Sequence, residues 1–259
     1  MTRLADSEAA YAAQQAALVR WLHDLPAAAW AQPSRLSGWT VRDLAFHATD
    51  MTSVVVRALA AGPVHDAPLS IAGYTATWPS VAAEIAARDR DGAHDLDAAG
   101  VLDNAAAARA ELLDALNGVE GDPIIAGRRG PLRLTDLMTT RVNELVVHSL
   151  DLSVSVPDLD PVELDPRALG ISCRMLTAIL AERVPGRTVE VRVPPYAAIQ
   201  CIAGPRHTRG TPANVVEAAP KVWVELATGR LAWADALAAG RLQVSGERAD
   251  ISEHLPVLA

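Results

Sequence analysis

Apolar residues recur three and four apart through most of the first 155 positions, and strict alternation appears only later in the chain. The helical spacing predicts a helix over 5–24, with Ser7 or Asp6 as its cap, whose buried face is marked by Tyr11, Leu18, Trp21 and Leu25. Gln14 and Gln15 leave a polar gap in that stripe. Pro26, Pro33 and Gly38 punctuate the next stretch, where Trp30 is expected to plug the end of the helical layer. A second helix is predicted over 40–61, capped by Thr40 with Asp43 three residues on, and stopped by Gly62-Pro63. Residues 62–77 lack a period and read as a loop bordering the mouth of the domain, with His65, Gly73 and Tyr74 in it. A short helix from Pro79 to Arg90 follows, then DRDGAHDLD as a solvated turn and a helix over about 101–117. GVEGDPIIAGRRGPLRL is compatible with a short hairpin, after which Thr135 would cap a helix over 135–152.

The pattern changes at PDLDPVELDP, a Pro/Asp-rich linker that predicts a domain boundary between 1–155 and 166–259. Asp165-Pro166 is a strong helix start, with Pro185-Gly186 as the stop. TVEVRV alternates as a strand; AAIQCIAG, Val215-Val216 and RLQVSG read as further strands. Helices beginning at Pro220 and Trp233 and a terminal turn over 250–255 complete an α+β half behind an all-α half.

Within TDLMTTRVNELVVHSLDL, Arg141, Glu144, His148 and Asp151 fall on one helical face beside the mostly apolar stripe of Met138, Val142, Leu145, Ser149 and Leu152. Unpaired burial of such groups costs several kcal/mol each, so they must face solvent, pair, or hold something. Glu144 and His148 are four apart and stack one turn above the other, which suits either a surface pair or two ligands of one metal ion. His47 lies inside the apolar stripe of its own helix, where a lone histidine is more often a core residue satisfied by one hydrogen bond than a ligand. Candidate ligands on two helices of one bundle are a better signal for a metal than either stretch alone.

GWTVRDLAFH, followed about a hundred residues later by R-V-N-E-L-V-V-H-S-L-D-L, resembles the mycothiol-dependent maleylpyruvate isomerase family. The resemblance implies a DinB-like four-helix bundle with a zinc site held by His47, Glu144 and His148. Ser149 stands where the family often has Gly. GPRHTRGTPANVVE and VELATGRLAWADALAAGRLQVSGERADI are similar to the bacterial sterol-carrier-protein type of domain, implying an α+β C-terminal half able to enclose an apolar ligand. Arg241, in the A-G-R-L segment, matches loosely an arginine of functional importance in the isomerase family.

Composition adjusts this picture at the margins. A net charge of −8 argues against nucleic acid and anionic membranes as partners. Lys221 is the sole lysine among 23 basic residues, a skew that with the abundant Ala suggests a GC-rich, actinobacterial genome. Cys173 and Cys201 have no metal-type spacing, read as core residues, and fit a reducing cytoplasm. No leader pattern and no run of about 18 apolar residues is present, so a cytoplasmic location is expected. Arg206, His207 and Arg209 form a basic turn, either a solvated counterweight or an anion clamp.

Two histidines and one carboxylate leave open positions on a metal, as a catalytic site requires; the same set suits Fe(II), and the family resemblance selects Zn2+. Zinc would hold mycothiol or a similar thiol as thiolate, ready to add to or displace on a small electrophile held by Arg241, Arg206 or Arg209. A carrier of apolar ligands, with the bundle as scaffold, is the competing expectation.

Overall fold

The structure, a computed structural model, describes residues 3–78, 82–204 and 214–258. The chain divides into two compact units, Met1–Ala168 and Leu169–Ala259.

The first unit is helical apart from one hairpin. Its long helices are α1 (Leu4–His23), α6 (Ala98–Leu116) and α7 (Leu134–Ser155), joined by the pair α2 (Val41–Asp50) and α3 (Ser53–Ala60). α1 packs along α7, α2 bridges α6 and α7, and α3 rests on α6, so α7 is nearly enclosed. The Thr40–Asp43 capping box is present: Thr40 Oγ1 accepts from the Asp43 amide at 3.2 Å, and Asp43 Oδ2 accepts from the Thr40 amide at 2.8 Å. The single helix expected over 40–61 is broken at Met51–Thr52. Thr49 Oγ1 donates to the carbonyls of Ala45 and Phe46, a back-bond that bends a helix just before the break. α1 starts at Leu4 with Arg3 at its cap position, so neither Ser7 nor Asp6 caps it.

Residues 62–77 are not a free loop. The Val64 amide donates to the Ile124 carbonyl, the Leu69 amide to Pro131, and α4 (Ile71–Thr75) forms behind a Ser70 cap. These bonds clip the segment to the hairpin β1 (Ile124–Gly127) and β2 (Gly130–Arg133), which pairs antiparallel as expected. A five-residue helix is too short to show a period.

The acidic run is only partly a solvated turn: α5 (Ala82–His94) takes in its first six residues, with Asp89 fully buried, and the exposed turn begins at Asp95. Gly92, which suggested a turn, sits inside the helix because a Cβ there would lie 2.8 Å from the Phe46 ring. The glycine permits close approach of α5 to α2. Thr135 does not cap α7; its amide donates at 2.9 Å to Asp122 Oδ1, a side chain from the foot of the hairpin.

The polar gap in α1 has a structural use. Gln14 donates to Ser149 Oγ and to the Glu163 carbonyl, both at 3.1 Å, and accepts from the Asp165 amide at 2.8 Å. Trp21 Nε1 donates to the Asp160 carbonyl and Ser153 Oγ accepts from the Val162 amide. The Pro/Asp linker is therefore fastened to α1 and α7, and its backbone polar groups are satisfied there.

The second unit is mixed. α8 (Pro166–Arg183) is started by Asp165 Oδ1, which accepts from the amides of Arg167 and Ala168. A four-stranded sheet has the order β4 (Ala197–Cys201), β3 (Val189–Val193), β5 (Val215–Ala218), β6 (Leu242–Ser245). β3 pairs antiparallel with β4 and parallel with β5, while β5 and β6 are antiparallel. Val189, Val191 and Val193 point alternately into the core, where Trp223 of α9 (Pro220–Ala227) is fully buried. α10 (Trp233–Ala238) and a 3-10 turn at Ser252–His254 complete it. Among the described residues no helix is long and apolar enough to cross a membrane.

Candidate functional site

α7 carries Glu144 and His148 on the face turned to α2, and α2 returns His47 to meet them. One ligand-type atom from each lies within 4.8 Å of the others. His47 Nε2 stands 3.9 Å from Glu144 Oε2, and the two imidazole centroids are 4.8 Å apart with the rings nearly perpendicular. The edge of Trp39 closes the other side of His47 at 5.5 Å. Two atoms bound to one ion at about 2 Å stand at most about 4 Å apart, so a spread of 4.8 Å must close by roughly 0.8 Å or more.

The outer face of each histidine is fixed. His47 Nδ1 lies 2.6 Å from Asp89 Oδ2, and Asp89 Oδ1 accepts in turn from Arg88. His148 Nδ1 lies 3.1 Å from Asp151 Oδ2, whose other oxygen is 3.6 Å from Arg35 Nε. A carboxylate can only accept, so each Nδ1 carries a proton, which leaves Nε2 as the ring nitrogen that could hold a metal. That is the tautomer a metal-binding histidine needs. Arg141 grips Glu144 with Nη2 on Oε1 at 2.9 Å and Nη1 on Oε2 at 3.2 Å, and is itself held to Thr140 Oγ1. Burial pushes the Glu144 carboxyl up, but Arg141, His47, His148 and Arg129 together outweigh it and leave the group below its ordinary range. Asp89 behaves alike: burial raises it, and His47 with Arg88 pull it down further. Both acids are thus held ionised, and a donor set of two imidazoles and one carboxylate fits a divalent ion with open positions.

A cavity of about 410 Å³ opens beside the triad, reaching His47 and Glu144. Met51, Val54, Tyr74 and Ile85 supply its apolar wall. Its polar wall is unexpectedly basic, with Arg57, Arg88, Arg128, Arg129 and Arg141. The guanidinium of Arg129 lies over the rings of Tyr74 and Trp78, 5.3 and 5.6 Å from their centroids. Burial lowers its pKa from the usual arginine value.

The structure brings His47, Glu144 and His148 together, and Arg141 and Asp151, which share their face of α7, pair with Glu144 and His148. Sequence reasoning missed Asp89 and, on the cavity wall, Arg57, Arg88, Arg128 and Arg129. The available signals were the spacing of Ile85, Asp89 and Ala93 on one face of a helix, and the Arg128-Arg129 pair at the hairpin tip. Arg241 lies in the second unit, in an ion pair with Glu225. Arg206, His207 and Arg209 fall outside the described residues.

The mycothiol maleylpyruvate isomerase N-terminal domain family matches residues 11–153, and the family described as bacterial SCP ortholog matches 165–257. No curated protein matches the chain. Among solved structures, a mutant of the mycothiol-dependent maleylpyruvate isomerase aligns at 14% identity and a TM-score of 0.61, over 96% of this chain and 95% of its own. A second structure of that isomerase aligns at 16% identity and a TM-score of 0.58, over 89% of this chain and 90% of its own. At these identities the likeness is one of fold. The longer of the two matched segments spans more than half the chain and contains all three convergent side chains, so this protein belongs to the mycothiol maleylpyruvate isomerase N-terminal domain family, with an SCP-type segment following.

Proposed function

We propose that this chain is a metal-dependent enzyme in which His47, Glu144 and His148 hold one Zn2+, and which uses mycothiol or a similar low-molecular-weight thiol on a small electrophile. The observation that carries the reading is the pair of histidines, each with Nδ1 committed to a buried carboxylate, converging with Glu144 so that one ligand-type atom of each lies within 4.8 Å of the others. A bound zinc ion would keep a thiol as thiolate at neutral pH. Thiolate addition to an activated alkene, rotation about the resulting single bond and elimination would isomerise it and return the thiolate; displacement at a saturated carbon would instead transfer it.

The chain's own residues would divide the work. Asp89 and Asp151 orient the imidazoles, and Arg141 keeps Glu144 ionised and fixed. The apolar wall of Met51, Val54 and Ile85 excludes water beside the triad. Neither cysteine suits the part of nucleophile: burial pushes Cys173 up to about 12 and Cys201 up to about 11, so the reacting thiol comes with a ligand. α1, α2 with α3, α6 and α7 would be the four helices of a DinB-like bundle. The whole would work in the cytoplasm.

A second reading, a carrier of apolar ligands with the helical unit as scaffold, is favoured by the SCP-type match over 165–257. The deciding experiment is metal analysis of the purified protein followed by mycothiol titration, read by thiolate absorbance in the ultraviolet. The enzyme reading expects about one Zn2+ per chain and saturable thiolate formation, both lost in H47A, E144A and H148A. Absence of metal and thiol binding, with saturable uptake of a fatty-acyl or sterol probe, would favour the carrier.

A further inference from the structure

Each imidazole of the cluster is backed by a carboxylate, and each carboxylate by a guanidinium. Behind His47 the order is Asp89 and then Arg88, whose Nε donates to Asp89 Oδ1 at 2.7 Å. Behind His148 it is Asp151 and then Arg35, whose Nε lies 3.6 Å from Asp151 Oδ1. Both aspartates are fully buried, and a buried carboxylate left without a positive partner is costly. The two arginines reach their places differently. Arg88 precedes Asp89 on α5 and arrives with it. Arg35 belongs to a turn between α1 and α2, far from α7 in sequence, so that turn must be shaped to deliver it.

The turn is closed on itself and tied down. Pro33 and Thr40 face each other as an isolated antiparallel bridge. The Ser34 amide donates to the Trp39 carbonyl at 2.8 Å and the Val41 amide to the Gln32 carbonyl at 2.9 Å, while the capping box fixes the exit at Thr40. The Arg35 amide donates at 2.8 Å to Ser155 Oγ, 120 positions away, and Ser155 Oγ donates at 2.7 Å to the Asp151 carbonyl. The backbone of Arg35 is thereby anchored to the last turn of α7, which follows directly on Asp151. At the other end of the turn, the edge of Trp39 meets the His47 ring at 5.5 Å. One short segment thus touches the surroundings of both histidines.

We infer that Arg35 is a positioning residue for His148, acting through Asp151, and that the Pro33–Thr40 turn is a clasp that fixes both histidines from outside, with Arg35 at one end and Trp39 at the other. A cation beside one carboxylate oxygen leaves the other oxygen turned to the ring, and outer partners of this kind fix the orientation of a metal-binding imidazole. At 3.6 Å the Arg35 contact is longer than a hydrogen bond and acts through charge, which a lysine also carries. The consequence for metal affinity rests on the metal reading above; the positioning of the ring does not.

The test is NMR of the full metal-free chain carrying 15N-labelled histidine, with the two rings assigned through H47Q and H148Q. In wild type both should show a hydrogen-bonded Nδ1–H protected from solvent exchange. R35Q should lose that protection at His148 and keep it at His47; W39L should do the reverse, and R35K should restore His148. Competition with a chromophoric chelator should then show Zn2+ affinity lower by about 3- to 10-fold in R35Q, less than for loss of a direct carboxylate partner, and near wild type in R35K. Thermal unfolding establishes that each variant is folded; should R35Q fail to fold, S155A, which removes only the main-chain anchor, carries the same expectation at His148 in weaker form. An unchanged His148 signal in R35Q, or R35K as impaired as R35Q, would overturn the assignment and leave Arg35 a packing residue. Absence of zinc from every sample would sink the metal reading instead, and the ring signals would still decide this one.

Discussion

His47 Nδ1 lies 2.6 Å from Asp89 Oδ2, a contact between side chains 42 residues apart that ties α2 to α5 and settles the histidine's tautomer. The relationship makes Asp89 a positioning residue for the triad.

Replacing Asp89 by Asn keeps the shape but removes the charge that fixes the imidazole. D89N should lower metal affinity by about 10- to 100-fold, as loss of an outer carboxylate does, with secondary structure retained. D151N should act likewise through His148, because Asp151 meets that ring at 3.1 Å. Competition with a chromophoric chelator measures both, and unchanged affinity in both variants would mean that these contacts serve packing alone.

Acid stability of the metal-free protein should depend on the same carboxylates. Glu144 and Asp89 have folded-state pKa values below their ordinary ones. Their contribution to stability is therefore fully present above the ordinary carboxylate range, near pH 4, and is lost as pH falls through the lowered values. Denaturant melts from pH 6 downward should show stability falling most steeply below about pH 4. E144Q and D89N should flatten that fall, and an unaltered slope in both would contradict the assignment.

Gly92→Ala sets two effects against each other. Alanine improves helix propensity by roughly 1 kcal/mol, while a Cβ placed 2.8 Å from the buried Phe46 ring overpacks the α2–α5 contact at about 1–3 kcal/mol. G92A should be net destabilising by about 1 kcal/mol. The double variant with Phe46→Leu should recover part of that loss, which a double-mutant cycle reads as coupling. Additive losses would indicate that the ring does not limit the approach.

Both cysteines should resist alkylation in the native protein. Their thiols are buried, with pKa values pushed up to about 12 for Cys173 and about 11 for Cys201, so little thiolate exists at pH 7.5. Iodoacetamide followed by mass spectrometry should label neither site within hours in buffer and both within minutes in guanidinium. Rapid native labelling would put a reactive thiol where the structure has a core residue.

What the sequence determined by itself is the part of the molecule written in local periods. Arg141, Glu144, His148 and Asp151 share a face because 3.6 residues make a turn, and no distant contact is needed to know it. The Thr40–Asp43 cap, the Asp165-Pro166 start and the alternation of Val189, Val191 and Val193 are likewise legible, since each depends on neighbours within a few positions. The family motifs added that His47 meets Glu144 and His148. Tertiary structure alone decided what depends on approach between helices. Asp89 looked solvated because its neighbours are acidic and Gly92 follows, yet close packing of α5 on Phe46 buries it against His47. Gln14 looked like a gap in a stripe until the linker folded back to use its amide. Arg57 and Arg129 are 72 positions apart, on a helix and a hairpin tip, and no period relates them. They face the same cavity because the 62–77 segment binds to the hairpin and Tyr74 and Trp78 lie beneath the guanidinium.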